Sequence, residues 1–237
     1  MTINKSRAHK GIVTEPATER GRAARQRLVA AAETLLNRVP YGKVRVADIT
    51  GEAGSAFGLF YRYFPDIKSL VIEISVKMMR RFDPILELPT DASDEALLQR
   101  IRAYQRINVQ NHIDHPGLIR AAPELAMEDA AFRKLVRSLH MQFIEHMIGE
   151  SLDGWAADSD EPAKAYRRMQ VLAVQGVSLT SLQDYYVWKT SGLRNLKISP
   201  DEMTDWLSIL CFRILTGKNP ELTQFATFER IRALIRL

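Results

Sequence analysis

A chain of 237 residues, 46% hydrophobic and 26% charged, can hold one large or two modest domains, either with a substantial core. Its single cysteine, Cys211, excludes an intramolecular disulfide framework and fits a reducing, cytoplasmic setting as core filler. The net charge of +5 is uneven: residues 1–64 carry 11 Lys/Arg against 5 Asp/Glu, while the remainder carries 22 against 23, so the basic potential sits at the amino-terminal end.

Residues 1–17 mix Lys5, Arg7, Lys10, Gly11 and Pro16 with few large apolar side chains and read as a flexible basic arm. No apolar signal region is present in residues 1–14. The longest uncharged run, 169–183, has only 15 residues and includes Gln175, Ser178 and Thr180, so no leader or membrane span is expected. Thr18 is a plausible N-cap for a first helix with Ala24, Leu28, Ala31, Ala32, Leu35, Leu36 and Val39 on its apolar face, ending before Pro40. A second helix spans about 46–53 and stops at Gly54, whose missing Cβ tolerates a left-handed backbone. A third spans about 56–64, and Asp66 caps a fourth that continues to about Phe82.

The third helix is too short to be stable alone, so Phe60 and Phe64, one turn apart, must dock it on its neighbours. Tyr61, Arg62 and Tyr63 are then expected to project outward. Two short helices joined by a glycine turn, with a basic amino-terminal segment, read as a helix-turn-helix whose second helix enters a DNA major groove. The segment Ile49, Ala53-Gly54 and Tyr61-Arg62-Tyr63-Phe64-Pro65-Asp66 resembles the amino-terminal domain of the tetracycline-repressor (TetR) family of bacterial transcription regulators, over about residues 18–70. The resemblance implies an all-α chain: a three-helix DNA-binding domain at 18–66 and a helical effector-binding and dimerisation domain at 67–237. The implied activity is that of a ligand-responsive repressor binding double-stranded operator DNA as a homodimer.

Docked in this way, the DNA face comprises Phe57, Gly58, Leu59, Tyr61 and Tyr63, with Arg45, Ser55, Arg62 and Lys68 as flanking contacts. Several positions depart from the family pattern. Arg45 stands where Ser or Thr is frequent. Ala56 offers no capping oxygen and leaves Ser55 as the candidate cap. Phe57 and Leu59 replace commonly polar residues, so hydrogen-bonded readout of bases is thin, and Ile67 occupies the place of a lysine, with Lys68 one residue later. These departures also support a second reading, a helical protein-interaction module that keeps the fold without specific DNA binding.

Beyond the breaker region at 84–89, Ser93 begins a helix carrying Leu97, Ile101, Tyr104 and Asn108, which Pro116-Gly117 is expected to end. A short segment at 118–127 precedes a helix with Phe132, Leu135, Val136, Leu139, Phe143 and Met147 on one side, closed by Gly149 and the loop around Gly154. Pro162 opens a long helix to about Lys189, and Ser199-Pro200-Asp201-Glu202 is a capping box with proline at the first helical position. The last major helix carries Met203, Trp206, Leu207, Leu210, Cys211, Ile214 and Leu215, with Gly217 as its stop. No period-two strand pattern occurs.

Small residues Ala173, Gly176, Val177 and Thr180, with Trp206, Leu207, Leu210 and Ile214, suit half of a four-helix bundle completed by a second copy, although an intrachain core fits the same spacing. Tyr104, Asn108, His112 and His140 fall on otherwise apolar faces. They are candidates for lining an effector pocket, or equally core and rim residues. A metal held by His112, His115, His140 and His146 would need three or four ligands converging from separate helices, and no tight ligand motif is present, so no metal is expected. With no G-x-S-x-G, P-loop, G-x-G-x-x-G or H-E-x-x-H, neither catalysis nor a cofactor is expected.

Overall fold

The computed structural model describes residues 16–89, 93–148, 161–221, 223, 225–227, 229–230 and 233. The expected arm, apart from Pro16 and Ala17, and the loop around Gly149 and Gly154 lie outside them, as do the side chains of Phe143, His146 and Met147. The helices are α1 Glu19–Arg38, α2 Val46–Glu52, α3 Phe57–Tyr63, α4 Ile67–Met79, α5 Asp94–Asp114, α6 Pro116–Glu128, α7 Ala130–Ile148, α8 Glu161–Leu182, α9 Ser191–Arg194 and α10 Pro200–Thr216. The chain is all-α, with no strand among the described residues. The described residues divide into two compact units, one within 1–78 and 115–137, the other within 79–114 and 138–237.

In the first unit α1 buries Ala24, Leu28, Ala31, Ala32 and Leu36 against Ile49 of α2, Phe60 of α3, Phe64, and Leu70, Val71 and Ile74 of α4. Thr18 caps α1 by accepting from Gly21 N at 3.1 Å, and Asp66 caps α4 through Ser69 N at 2.7 Å. Arg25 holds the two helices together: its guanidinium lies 5.0 Å over the Phe64 ring and pairs with Glu73 at 2.5 Å. Leu118, Ala121 and Leu125 of α6 complete this core.

Pro116-Gly117 begins a helix here. Proline fits the first helical position because its missing N–H would have been unpaired there, and only His115 separates α5 from α6. Gly117 then rests directly on the end of α1. Its N–H donates to Asn37 Oδ1 at 2.8 Å, and Arg120 donates to the Leu36 carbonyl at 2.8 Å, so each helix end satisfies orphan groups of the other.

In the second unit α4's expected extension is replaced by 3₁₀ turns over Arg80–Glu87, because Pro84 lacks the N–H an α-helix would need. Leu97, Leu98 and Ile101 of α5 pack with Ile209, Phe212 and Leu215 of α10 and Val174 of α8. A second cluster joins Val109, Leu182, Tyr185, Met203 and Leu207. α8 ends at Leu182 and continues as a π-turn, Gln183–Val187. α10 starts from the full capping box: Ser199 N donates to Glu202 Oε2 at 2.7 Å and Glu202 N donates to Ser199 Oγ at 3.2 Å. Burial alone would raise the Glu202 carboxyl, but the Ser199 hydrogen bonds and Arg230, 2.5 Å away, outweigh it and hold the carboxyl below its usual range. Gly217 closes α10 at φ 70°.

Candidate nucleic-acid interface

The turn between α2 and α3 is fixed by backbone chemistry. Gly54 adopts φ 59°, its N–H donates to Gly51 O at 3.1 Å, and Ser55 N donates to Thr50 O at 2.9 Å, the paired bonds of a Schellman stop. The Arg45 N–H is satisfied by Asp48 Oδ2 at 3.1 Å. The Arg45 guanidinium, which has only donors and cannot cap N–H groups, remains exposed. Ser55 does not cap α3: its hydroxyl donates back to Ala53 O at 3.3 Å, and Ala56 begins the helix without a side-chain cap.

A helix advances about 100° per residue, which sorts α3 into two faces. Phe57, Gly58, Tyr61 and Arg62 form one exposed arc; Leu59, Phe60 and Tyr63 form the other, with Phe60 fully buried and Leu59 half-buried against the core. Tyr63 therefore does not project outward. Three residues beyond Phe60, it shares that buried side and is only 8% exposed, whereas Tyr61 is 53% exposed. Lys68 also differs from expectation: its ammonium lies 3.1 Å from Asp129, whose carboxylate caps the start of α7 through Phe132 N at 2.8 Å. Lys43, exposed in the 3₁₀ turn Tyr41–Lys43, joins Arg45 as a cation ahead of α2; its spacing two residues before Arg45 was a visible signal.

This arrangement, a rigid three-helix support presenting one polar-aromatic helix face beside exposed cations, defines a helix-turn-helix DNA-binding protein. Residues 28–74, from α1 to α4, match the family model for bacterial regulatory proteins, tetR family. That segment is a helix-turn-helix DNA-binding domain of the type found in tetR-family regulatory proteins. No curated protein matches the chain.

The effector candidates fall in the second unit. Tyr104 is buried, its hydroxyl 3.1 Å from His140 Nε2 and its ring 5.0 Å from Phe82; burial, then Cys211, pushes its phenol pKa upward. His112 Nδ1 lies 2.8 Å from the Asn108 carbonyl, which requires the proton on Nδ1 and leaves Nε2 a bare acceptor without a partner. Sequence reasoning missed Gln105 and Asn111, both fully buried. Gln105 Nε2 donates to Ser178 Oγ at 2.8 Å and to Cys211 Sγ at 3.1 Å; Gln105 Oε1 and Asn111 Oδ1 have no partner. The signal was the helical phase, since 104, 105, 108, 111 and 112 fall within about one third of α5's circumference. Burial pushes the Cys211 thiol to about 11, against the Ser178 and Gln105 hydrogen bonds, so it stays a neutral thiol.

Burial lowers the pKa of His112 and also of His140. The unfolded chain then takes up protons below about pH 6.5 that the fold refuses, so stability is full above that value and falls on acidification. The urea midpoint is expected to drop between pH 7 and pH 5, and less so in His112→Leu.

Of the dimerisation candidates, Ala173, Gly176 and Thr180 are exposed and Val177 is half-buried, on the α8 side that also exposes Met169, Leu172 and Leu179. Trp206, Leu210 and Ile214 are half-buried. Leu207 is fully buried in the intrachain core with Val109, Leu182, Tyr185 and Met203, and is unavailable to a partner. Among the described residues no group of three or more His, Cys, Asp or Glu converges as metal ligands, and no helix is long and apolar enough to cross a membrane.

Proposed function

We propose that the chain is a cytoplasmic, ligand-responsive repressor that binds a pseudo-palindromic operator as a homodimer. The observation that carries this reading is the exposed α3 arc of Phe57, Gly58, Tyr61 and Arg62, held from behind by Phe60 within a TetR-family domain. A single seven-residue helix reads few base pairs, and two copies reading half-sites one turn apart, roughly 34–36 Å, gain specificity. The exposed apolar side of α8 supplies a surface for that pairing. The buried polar strip on α5 supports an effector site in the second unit, since unpaired buried acceptors are costly until something donates to them. An effector switches DNA affinity only through its different affinity for the DNA-competent and incompetent conformations.

Tyr61→Phe removes one exposed hydroxyl and is expected to weaken operator binding about two- to tenfold, measured by fluorescence anisotropy. Arg45→Ala should reduce the slope of log affinity against log salt by about 1, because one fewer phosphate is neutralised. Mobility shift with the gene's own upstream DNA tests the reading as a whole. Specific, salt-sensitive retardation supports it; weak, sequence-blind binding favours the protein-interaction module.

A further inference from the structure

Phe57 is the least expected residue on the exposed arc of α3. It is 54% exposed and occupies the first position of the helix, where its neighbours Ala56 and Gly58 leave it standing alone; a Cβ on Gly58 would meet only open space. The ring is nevertheless held. It packs edge-on against Tyr61 with centroids 5.6 Å apart, and Tyr61 packs edge-on against the fully buried Phe60 at 5.4 Å. A chain of aromatic contacts thus runs from the core to the tip of the recognition helix and presents one benzyl group in a set position.

The major groove offers hydrogen-bond donors and acceptors on every base pair and a single apolar group, the 5-methyl of thymine. A benzyl group has no donor or acceptor. Pressed against a cytosine amino group or a guanine carbonyl it would strip water from that group and give nothing back, whereas against a methyl it buries apolar surface on both sides. We infer that Phe57 reads thymine through its 5-methyl group, so that each operator half-site requires a thymine at the base pair Phe57 faces. This inference rests on the regulator reading above and names what its recognition helix selects.

The test uses the full-length protein and an operator enriched from a random pool of duplex DNA. Each thymine of the half-site is replaced in turn, in both half-sites, by deoxyuridine, which keeps the pairing and groove hydrogen-bond groups and removes only the methyl. One position is expected to lose about fourfold in affinity per methyl, about fifteenfold for the symmetric pair. Phe57→Ala should bind more weakly and be indifferent to that replacement, while Phe57→Leu should keep the sensitivity. The inference is overturned if no thymine is sensitive, or if Phe57→Ala keeps the wild-type sensitivity. Enrichment of no sequence would sink the regulator reading and this inference together, whereas a bound operator with neutral uracils removes only the inference.

Discussion

Gly117→Ala is expected to destabilise the DNA-binding unit by about 3 kcal/mol, the upper part of the range for overpacking, and to lower its melting temperature by roughly 10 °C or more. The reason is steric. A Cβ at Gly117 would overlap the Leu36 carbonyl group and lie 2.5 Å from Asn37 N, and both neighbours are backbone in the last turn of α1. Backbone cannot swing aside as a flexible side chain can, so α6 must lift off α1. Lifting breaks the Gly117 to Asn37 hydrogen bond and the Arg120 to Leu36 bond, and withdraws Leu118 and Ala121 from the core. Gly51→Ala provides the comparison: it is also within a helix but has open space around it, so it should leave stability unchanged or raise it by up to about 1 kcal/mol. Thermal melts of both variants by circular dichroism check the pair.

Phe60→Ala is expected to cost about 3–5 kcal/mol, a large share of the 5–15 kcal/mol that holds a typical domain together. Phe60 is fully buried, its ring 5.7 Å from that of Phe64 and 5.4 Å from that of Tyr61. Seven residues without a side-chain cap cannot persist as an isolated helix, so α3 depends on that ring for its existence as well as its position. DNA binding should therefore vanish along with the loss of urea midpoint. In contrast, Phe57→Ala, removing an exposed ring three residues earlier, should leave the urea midpoint close to wild type. Equal destabilisation by the two changes would mean that the assigned faces of α3 are wrong.

What the sequence made legible was local chemistry. Thr18, Asp66, Ser93 and Ser199 cap the helices they precede, and Gly54 and Gly217 take positive φ where helices stop. Each of these depends on residues within four positions. What stayed hidden depends on partners far along the chain. Pro116-Gly117 ends or begins a helix with equal ease, and the choice is made by α1, about 80 residues earlier. Lys68 looks free until Asp129 is placed beside it, and although helical phase puts Gln105 beside Tyr104 and Asn108, its partners Ser178 and Cys211 come from α8 and α10. Tyr63 is a different case. The string Tyr-Arg-Tyr-Phe invites both tyrosines to be read alike, yet the helical phase set by Phe60 already separates them.

The exposed arc of α3 is proposed to recognise a particular duplex sequence. The most direct measurement is an anisotropy titration of the full-length chain against its own upstream DNA and a scrambled duplex of equal length, each at two salt concentrations. Binding to the upstream DNA is expected to be at least about a thousandfold tighter, with affinity for both falling steeply as salt rises. Equal affinity for the two duplexes would contradict it.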